Sequence, residues 1–279
     1  MAAQDVAADW QTTSWKADFW EVALVPRVQP GRAHELAGLI AAGGEQFALA
    51  LAALVEAELW RSQRREQPVE ALDLGESQKR VLGAAQEMAH RAMAELATHY
   101  LLATGHTLAN VTVRVLALDT QLHSALLDVL GSWCPVNSAS PTDWLSMNRD
   151  TIRALRRVAR KGSSPTLQVL TQPATELVLS SSWQELDQLR AAHYHRRRPQ
   201  SAGMSGVPLA NPWQFSGGAM SIGAGRDEYT DGDGLAHETT DLARRVLTGL
   251  TAAMKALLEQ VNAVVNDMNH RSVPHEGRK

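Results

Sequence analysis

Apolar residues recur at every third or fourth position through most of the chain, the spacing that gathers side chains along one face of an α-helix, and β-branched runs are short. The pattern predicts an all-α fold, a multi-helix bundle with an up-down core, additional short helices and one long Gly/Pro-rich loop. Leu36, Leu39, Ile40, Phe47, Leu51, Leu54, Val55 and Leu59 place a helix over 31–64, with a kink or break expected at Gly43-Gly44 and a stop before Pro68. A second helix is predicted over 76–104, with Val81/Leu82, Ala85, Met88/Ala89, Ala92 and Leu96 on one face and Gly105 as its stop signal. Leu108, Val111, Val115, Leu118, Leu122, Leu126 and Val129 predict a third helix over 106–131, so the second and third should form an antiparallel hairpin.

Beyond a turn-rich stretch, 131–142, the spacing of Ile152, Leu155 and Val158 predicts a shorter helix over 144–161. The segments 166–170 and 175–179, flanking Gln172-Pro173, read as two short strands. Ser182 with Glu185 has capping-box form and predicts a helix over 183–198, ended by Pro199. Three prolines and eight glycines then fall within the 36 residues 199–234, a long loop. Leu242, Val246, Leu250, Met254, Leu257, Val261 and Val265 hold one face over 239–268, roughly 45 Å of helix at the α-helical rise. The expected organisation is an N-terminal arm over 1–30, whose Trp10, Trp15 and Trp20 dock it on the body, then a single helical domain over 31–268 and a disordered tail over 269–279.

Composition narrows the class. The chain has 279 residues, 44% hydrophobic and 20% charged, which is ample for a core without disulfides or a structural metal. Its 27 basic and 30 acidic residues give a net charge of −3, so it is no wholesale polycation, and any grip on nucleic acid must come from a local patch. The single cysteine, Cys134, excludes intrachain disulfides and multi-cysteine metal sites, and fits a reducing compartment. There is no run of 18 apolar residues and no basic-then-apolar leader, so a cytoplasmic protein with no membrane partner is expected.

Two basic segments stand out. Arg149, Arg153, Arg156, Arg157 and Arg160 follow i, i+4, i+7, i+8 and i+11, which puts five arginines on one helical stripe away from Ile152, Leu155 and Val158. Such a stripe suits the phosphate backbone of nucleic acid; its alternative partner is the acidic stretch of Asp227, Glu228, Asp231, Asp233, Glu238 and Asp241. The second segment, Arg190 to Arg198, holds Arg190, Arg196, Arg197 and Arg198 with His193 and His195, and no carboxylate. A guanidinium matches phosphate oxygens and an imidazole moves protons near neutral pH, the two functions needed to cleave RNA without a metal.

Arg190, four residues and His195 match the R-x4-6-H motif, and in this and in its helical architecture the chain resembles HEPN domains. That resemblance implies an all-helical, dimeric, metal-independent ribonuclease or RNA-binding protein of a defence or toxin–antitoxin system. Arg190 and His195 would then be the catalytic pair, with His193 assisting or competing, and Arg196, Arg197 and Arg198 would join the stripe arginines in binding RNA. Residues five apart sit about 140° apart round an ideal helix, so the pair needs a helix end to converge. The alternative function is a non-catalytic helical protein that binds a protein partner.

No cofactor or metal is expected. Asp227, Asp231, Gly232, Asp233 and Glu238 approach calcium-loop spacing, but Tyr229 occupies the third position, where an oxygen ligand is required. Glu87 and His90 form one E-x-x-H pair where a di-iron site needs two.

Overall fold

The computed structural model describes residues 2–18, 20, 32–131, 134–136, 144–162, 164–195, 214–216, 219–221 and 232–270, without the side chains of 14, 190–195, 214–216, 219–221, 232–235 and 270. Its helices are α1 (Ala3–Gln11), α2 (Arg32–Glu66), α3 (Glu76–Leu116), α4 (Thr120–Leu130), α5 (Arg149–Ala159), α6 (Pro165–Val169), α7 (Gln172–Leu179), α8 (Ser181–His195) and α9 (Gly232–His270), and the class is all-α. Two three-residue strands, Gln214–Ser216 and Ala219–Ser221, pair antiparallel with Gln214 opposite Ser221. They fall inside the stretch read as loop. The expected disordered tail starts at 269, but Asn269 and His270 still belong to α9; the rest of it, the residues 196–213 and the arm residues 21–31 lie outside the described residues.

By contacts the chain groups into two compact units where a single domain was expected. The first comprises 1–49, 100–184 and 247–279; the second comprises 50–99 and 185–246. In the first unit, α1 and the turn Thr12–Lys16 bring Trp10 to 0% exposure, and Trp20 is buried as well, so two of the three arm tryptophans dock while Trp15 is 84% exposed. The Trp10 indole N–H donates to the Met254 carbonyl at 3.0 Å, which satisfies its one polar atom.

The glycines expected to break helices instead admit tryptophans. α2 runs without interruption through Gly43 and Gly44. A Cβ at Gly43 would lie 2.8 Å from Thr107 and 2.9 Å from the Trp10 ring; at Gly44 it would lie 2.7 Å from the Gln11 backbone nitrogen. Likewise α3 continues past Gly105 to Leu116, so the predicted hairpin does not form there. A Cβ at Gly105 would stand 2.0 Å from Cη2 of the buried Trp183. The break comes later, where the Asp119 carboxylate accepts the backbone N–H groups of Gln121 (2.9 Å) and Leu122 (3.0 Å) and starts α4.

From Leu101 to Leu116 α3 is buried on nearly every side, so its polar side chains must be satisfied inside the protein. Thr104, Thr107 and Thr112 each donate to a carbonyl one turn back, those of Tyr100, Ala103 and Leu108. The two predicted strands are α6 and α7. Pro165 opens one and Pro173 is the second residue of the other, positions where proline's fixed φ and missing N–H favour a helix start. At α8 the cap is Ser180, whose hydroxyl accepts the Trp183 N–H at 3.3 Å, rather than Ser182.

In the second unit Arg61 pairs with Asp241 at 2.8 Å, Arg244 with Asp241 at 3.0 Å and with Glu58, and Arg245 with Glu185 at 2.6 Å. Glu87 and His90 are buried there; His90 Nε2 lies 3.0 Å from the Thr240 hydroxyl, and its ring centroid 5.1 Å from that of His237. Helix α2 has an 18-residue window of mean hydropathy 1.6, long and apolar enough to cross a membrane by composition alone, and 39% of that window is buried inside the protein. Buried core helices of soluble proteins meet the same criterion.

Candidate nucleic-acid interface

The arginine stripe lies on α5, in the first unit. The helix begins at Asn148, whose side-chain oxygen accepts the Thr151 N–H at 2.8 Å, and it packs on α4, α6 and α7 through the buried Ile152, Leu155, Val158 and Ala159. The opposite face carries Arg149, Arg153, Arg156, Arg157 and Arg160, all exposed, with Lys161 just beyond. These five cations extend over about 16 Å at the α-helical rise. Of the five, Arg153 has an ion pair among the described residues, with Asp150 at 3.2 Å, and there both side chains are at least 70% exposed. A contact that solvated contributes about 0–1 kcal/mol and leaves the stripe open to a stronger anion.

The acidic stretch read as the alternative partner falls in the second unit and in part outside the described residues. Asp241 is engaged by Arg61 and Arg244, and Glu238 is exposed. Asp227, Glu228 and Asp231 lie outside the described residues, as does the Asp233 side chain.

What fixes α5 in place precedes it. Residues 144–147 are non-helical, although the helix was expected to start at Trp144. The buried Asn110 side chain grips this segment at two points: its NH2 donates to the Leu145 carbonyl at 2.8 Å and its oxygen accepts the Leu145 N–H at 3.1 Å. His106 Nδ1 accepts the Met147 N–H at 3.0 Å, and the Trp183 indole N–H points at the Met147 carbonyl at 3.4 Å. Leu145 and Met147 are buried, yet Trp144 is 42% exposed. The half-exposed indole thus sits on a pinned backbone four residues before the arginine helix's N-cap. Sequence reading missed it by assigning Trp144 to the helix; the signal was present, since Trp144 is followed by Asn148, a strong N-cap type.

The candidate catalytic residues belong to α8. Arg190, His193 and His195 all lie within α8, with His195 its last described residue, and their side chains lie outside the described residues. On helical backbone Arg190 and His195 are about 140° apart round the axis, whereas Arg190 and His193 are about 60° apart, so α8 puts His193 on the face of Arg190. Arg196, Arg197 and Arg198 lie outside the described residues entirely. No group of three His, Cys, Asp or Glu among the described residues is placed to hold a metal ion, the buried Glu87 and His90 included. A groove of about 270 Å³ bordered by Trp10, Asp9, Glu259, Lys16 and Lys255 holds two charges of each sign and shows no preference for an anion.

Comparison with protein-family models, with curated proteins and with solved structures gives no match.

Proposed function

We propose that the protein binds single-stranded RNA, tracking the phosphate backbone with the α5 arginines and stacking a base on Trp144. The observation that carries this reading is the solvent-facing row of Arg149, Arg153, Arg156, Arg157 and Arg160, engaged among the described residues by a single exposed carboxylate. A cationic stripe attracts any polyanion; an exposed aromatic beside it favours a strand whose bases are unpaired and free to stack. RNA rather than DNA is preferred on the R-x4-6-H motif of Arg190 and His195, which also supplies the HEPN-like ribonuclease reading. In that reading the Arg190 guanidinium stabilises charge on the phosphate, while His195, or His193 on the same helical face as Arg190, moves the proton.

The test is binding of a fluorescent RNA oligonucleotide over a range of salt. For a single strand the slope of log K against log salt is about −0.7 per phosphate neutralised, so five arginines give a slope near −3.5, and the double variant Arg156→Gln, Arg157→Gln reduces it by about 1.4. Binding that ignores salt, or that the double variant leaves unchanged, refutes the proposal. Incubation with RNA in EDTA, with His193→Ala and His195→Ala in parallel, tests cleavage separately.

A further inference from the structure

The arginines of α5 have a sector of the helix to themselves. At about 100° per residue, Arg156, Arg149, Arg160, Arg153 and Arg157 fall in that order across roughly 100° of the circumference, and no other residue of 149–161 falls among them. Asp150 and Lys161 border the sector, and the buried face lies across the helix from it. The sector therefore holds no amide, no hydroxyl and no carboxylate. A guanidinium has five N–H donors and no acceptor, so this surface presents hydrogen-bond donors alone. Arg149 and Arg153, Arg153 and Arg157, and Arg156 and Arg160 are each four residues apart, a spacing at which like charges weaken a helix. The one carboxylate of α5, Asp150, is already shared with Arg153 at 3.2 Å. A bound polyanion relieves the remaining repulsion.

Donors without acceptors sort the parts of a nucleic-acid strand. Every nucleotide carries the same phosphate oxygens, which are acceptors, and contacts to them hold no sequence information. Adenine and cytosine are told apart from other bases through their amino groups, which need an acceptor on the protein. The arginine sector supplies none. Guanine is the exception, since its O6 and N7 can be read by a guanidinium alone. What the row does fix is length. Its extent of about 16 Å corresponds to about five phosphates at roughly 3.4 Å each along one stacked strand, one for every arginine. A strand of about six nucleotides with free hydroxyl ends carries that number.

We infer that α5 selects its ligand by length and not by sequence: the ligand class is any single strand of about six nucleotides or more, held through about five consecutive phosphates. This rests on the RNA reading proposed above and specifies what that site takes. The test uses the full chain and labelled RNA oligonucleotides with hydroxyl ends, from three to about twelve nucleotides, each titrated over a range of salt. The slope of log K against log salt should steepen by about 0.7 with each nucleotide added from three to six, then stay near −3.5. Arg149→Gln combined with Arg160→Gln removes both ends of the row, so the break should move to about four nucleotides and the limiting slope to about −2.1. Both positions are solvent-facing, and unchanged circular dichroism confirms that the variant is folded. Hexamers of permuted sequence should bind within about threefold of one another, whereas a base read by a bidentate contact changes affinity by about fivefold or more. Three results overturn the inference while leaving the RNA reading intact: a slope that still grows past about eight nucleotides, a break that the paired variant does not move, or a gain above about fivefold when guanine is introduced. Absent or salt-independent binding at every length overturns both.

Discussion

Replacing Gly105 by alanine isolates one packing contact. In a solvated helix interior the change is favourable by about 0.5–1 kcal/mol, because alanine loses less backbone entropy on folding. At Gly105 the new methyl would sit 2.0 Å from Cη2, 2.6 Å from Cζ3 and 2.9 Å from Cζ2 of Trp183. Ordinary carbon contacts lie at about 3.5–4.0 Å, so ring and helix must separate by roughly 1.5 Å. Trp183 is 2% exposed, and its indole N–H is directed at the Met147 carbonyl, so it has no empty space to enter. Overpacking of this kind costs about 1–3 kcal/mol, which leaves Gly105→Ala less stable than wild type by about 1–2 kcal/mol after the helical gain. Gly38→Ala, in the same unit with nothing within 4 Å of its Cβ, should be stabilised by about 0.5–1 kcal/mol and serves as reference. Urea unfolding followed by circular dichroism and tryptophan fluorescence measures both. In a Trp183→Leu background the cost at Gly105 should disappear, closing a double-mutant cycle. Equal effects of alanine at Gly105 and Gly38 would refute the argument that Gly105 exists to admit the indole.

Other outcomes follow from the site and its supports. Trp144→Ala should weaken single-stranded RNA binding by about 1–3 kcal/mol, measured by anisotropy, and leave the salt slope unchanged, since it removes stacking and no charge. Asn110→Ala strips the Leu145 backbone of its two side-chain partners and should lower unfolding stability by about 2–4 kcal/mol, seen as a shifted urea midpoint. At Glu35, burial pushes the carboxyl pKa up, but the hydrogen bond and charge of Arg114 at 2.8 Å, with Arg32 at 3.0 Å, outweigh it and hold it below the usual 4.5. A depressed folded pKa gives stabilisation that is complete above about 4.5 and lost as pH falls through the folded value. Wild type should therefore exceed Glu35→Gln in urea midpoint at neutral pH, with the gap narrowing as the pH is taken down below 4.5.

Helical class, the course of α2 and α9, and the arginine stripe with its buried counterface were all legible in the sequence, because a 3.6-residue period is a local property of the chain. The errors share one cause. Gly105 and Gly43-Gly44 look alike in sequence whether they end a helix or make room for Trp183 and Trp10, and only tertiary packing tells these apart. Conversely, apolar spacing through Leu118 and Leu122 hid the break that Asp119 makes by capping α4. The β-branched content of 166–179 suggested strands, but Pro165 and Pro173 were better evidence of helix starts. Periodicity placed Val81 and Met88 on one helix face without revealing that both side chains are exposed. The spacing of Ile152, Leu155 and Val158 does not fix where α5 begins; the Asn110 grip that holds Trp144 outside the helix comes from a residue 35 positions away from Leu145.

That grip makes α5 an appendage of α3 more than of the chain leading into it. Because Asn110 and His106 fix the backbone at Leu145 and Met147, the arginine face takes its address from a buried helix.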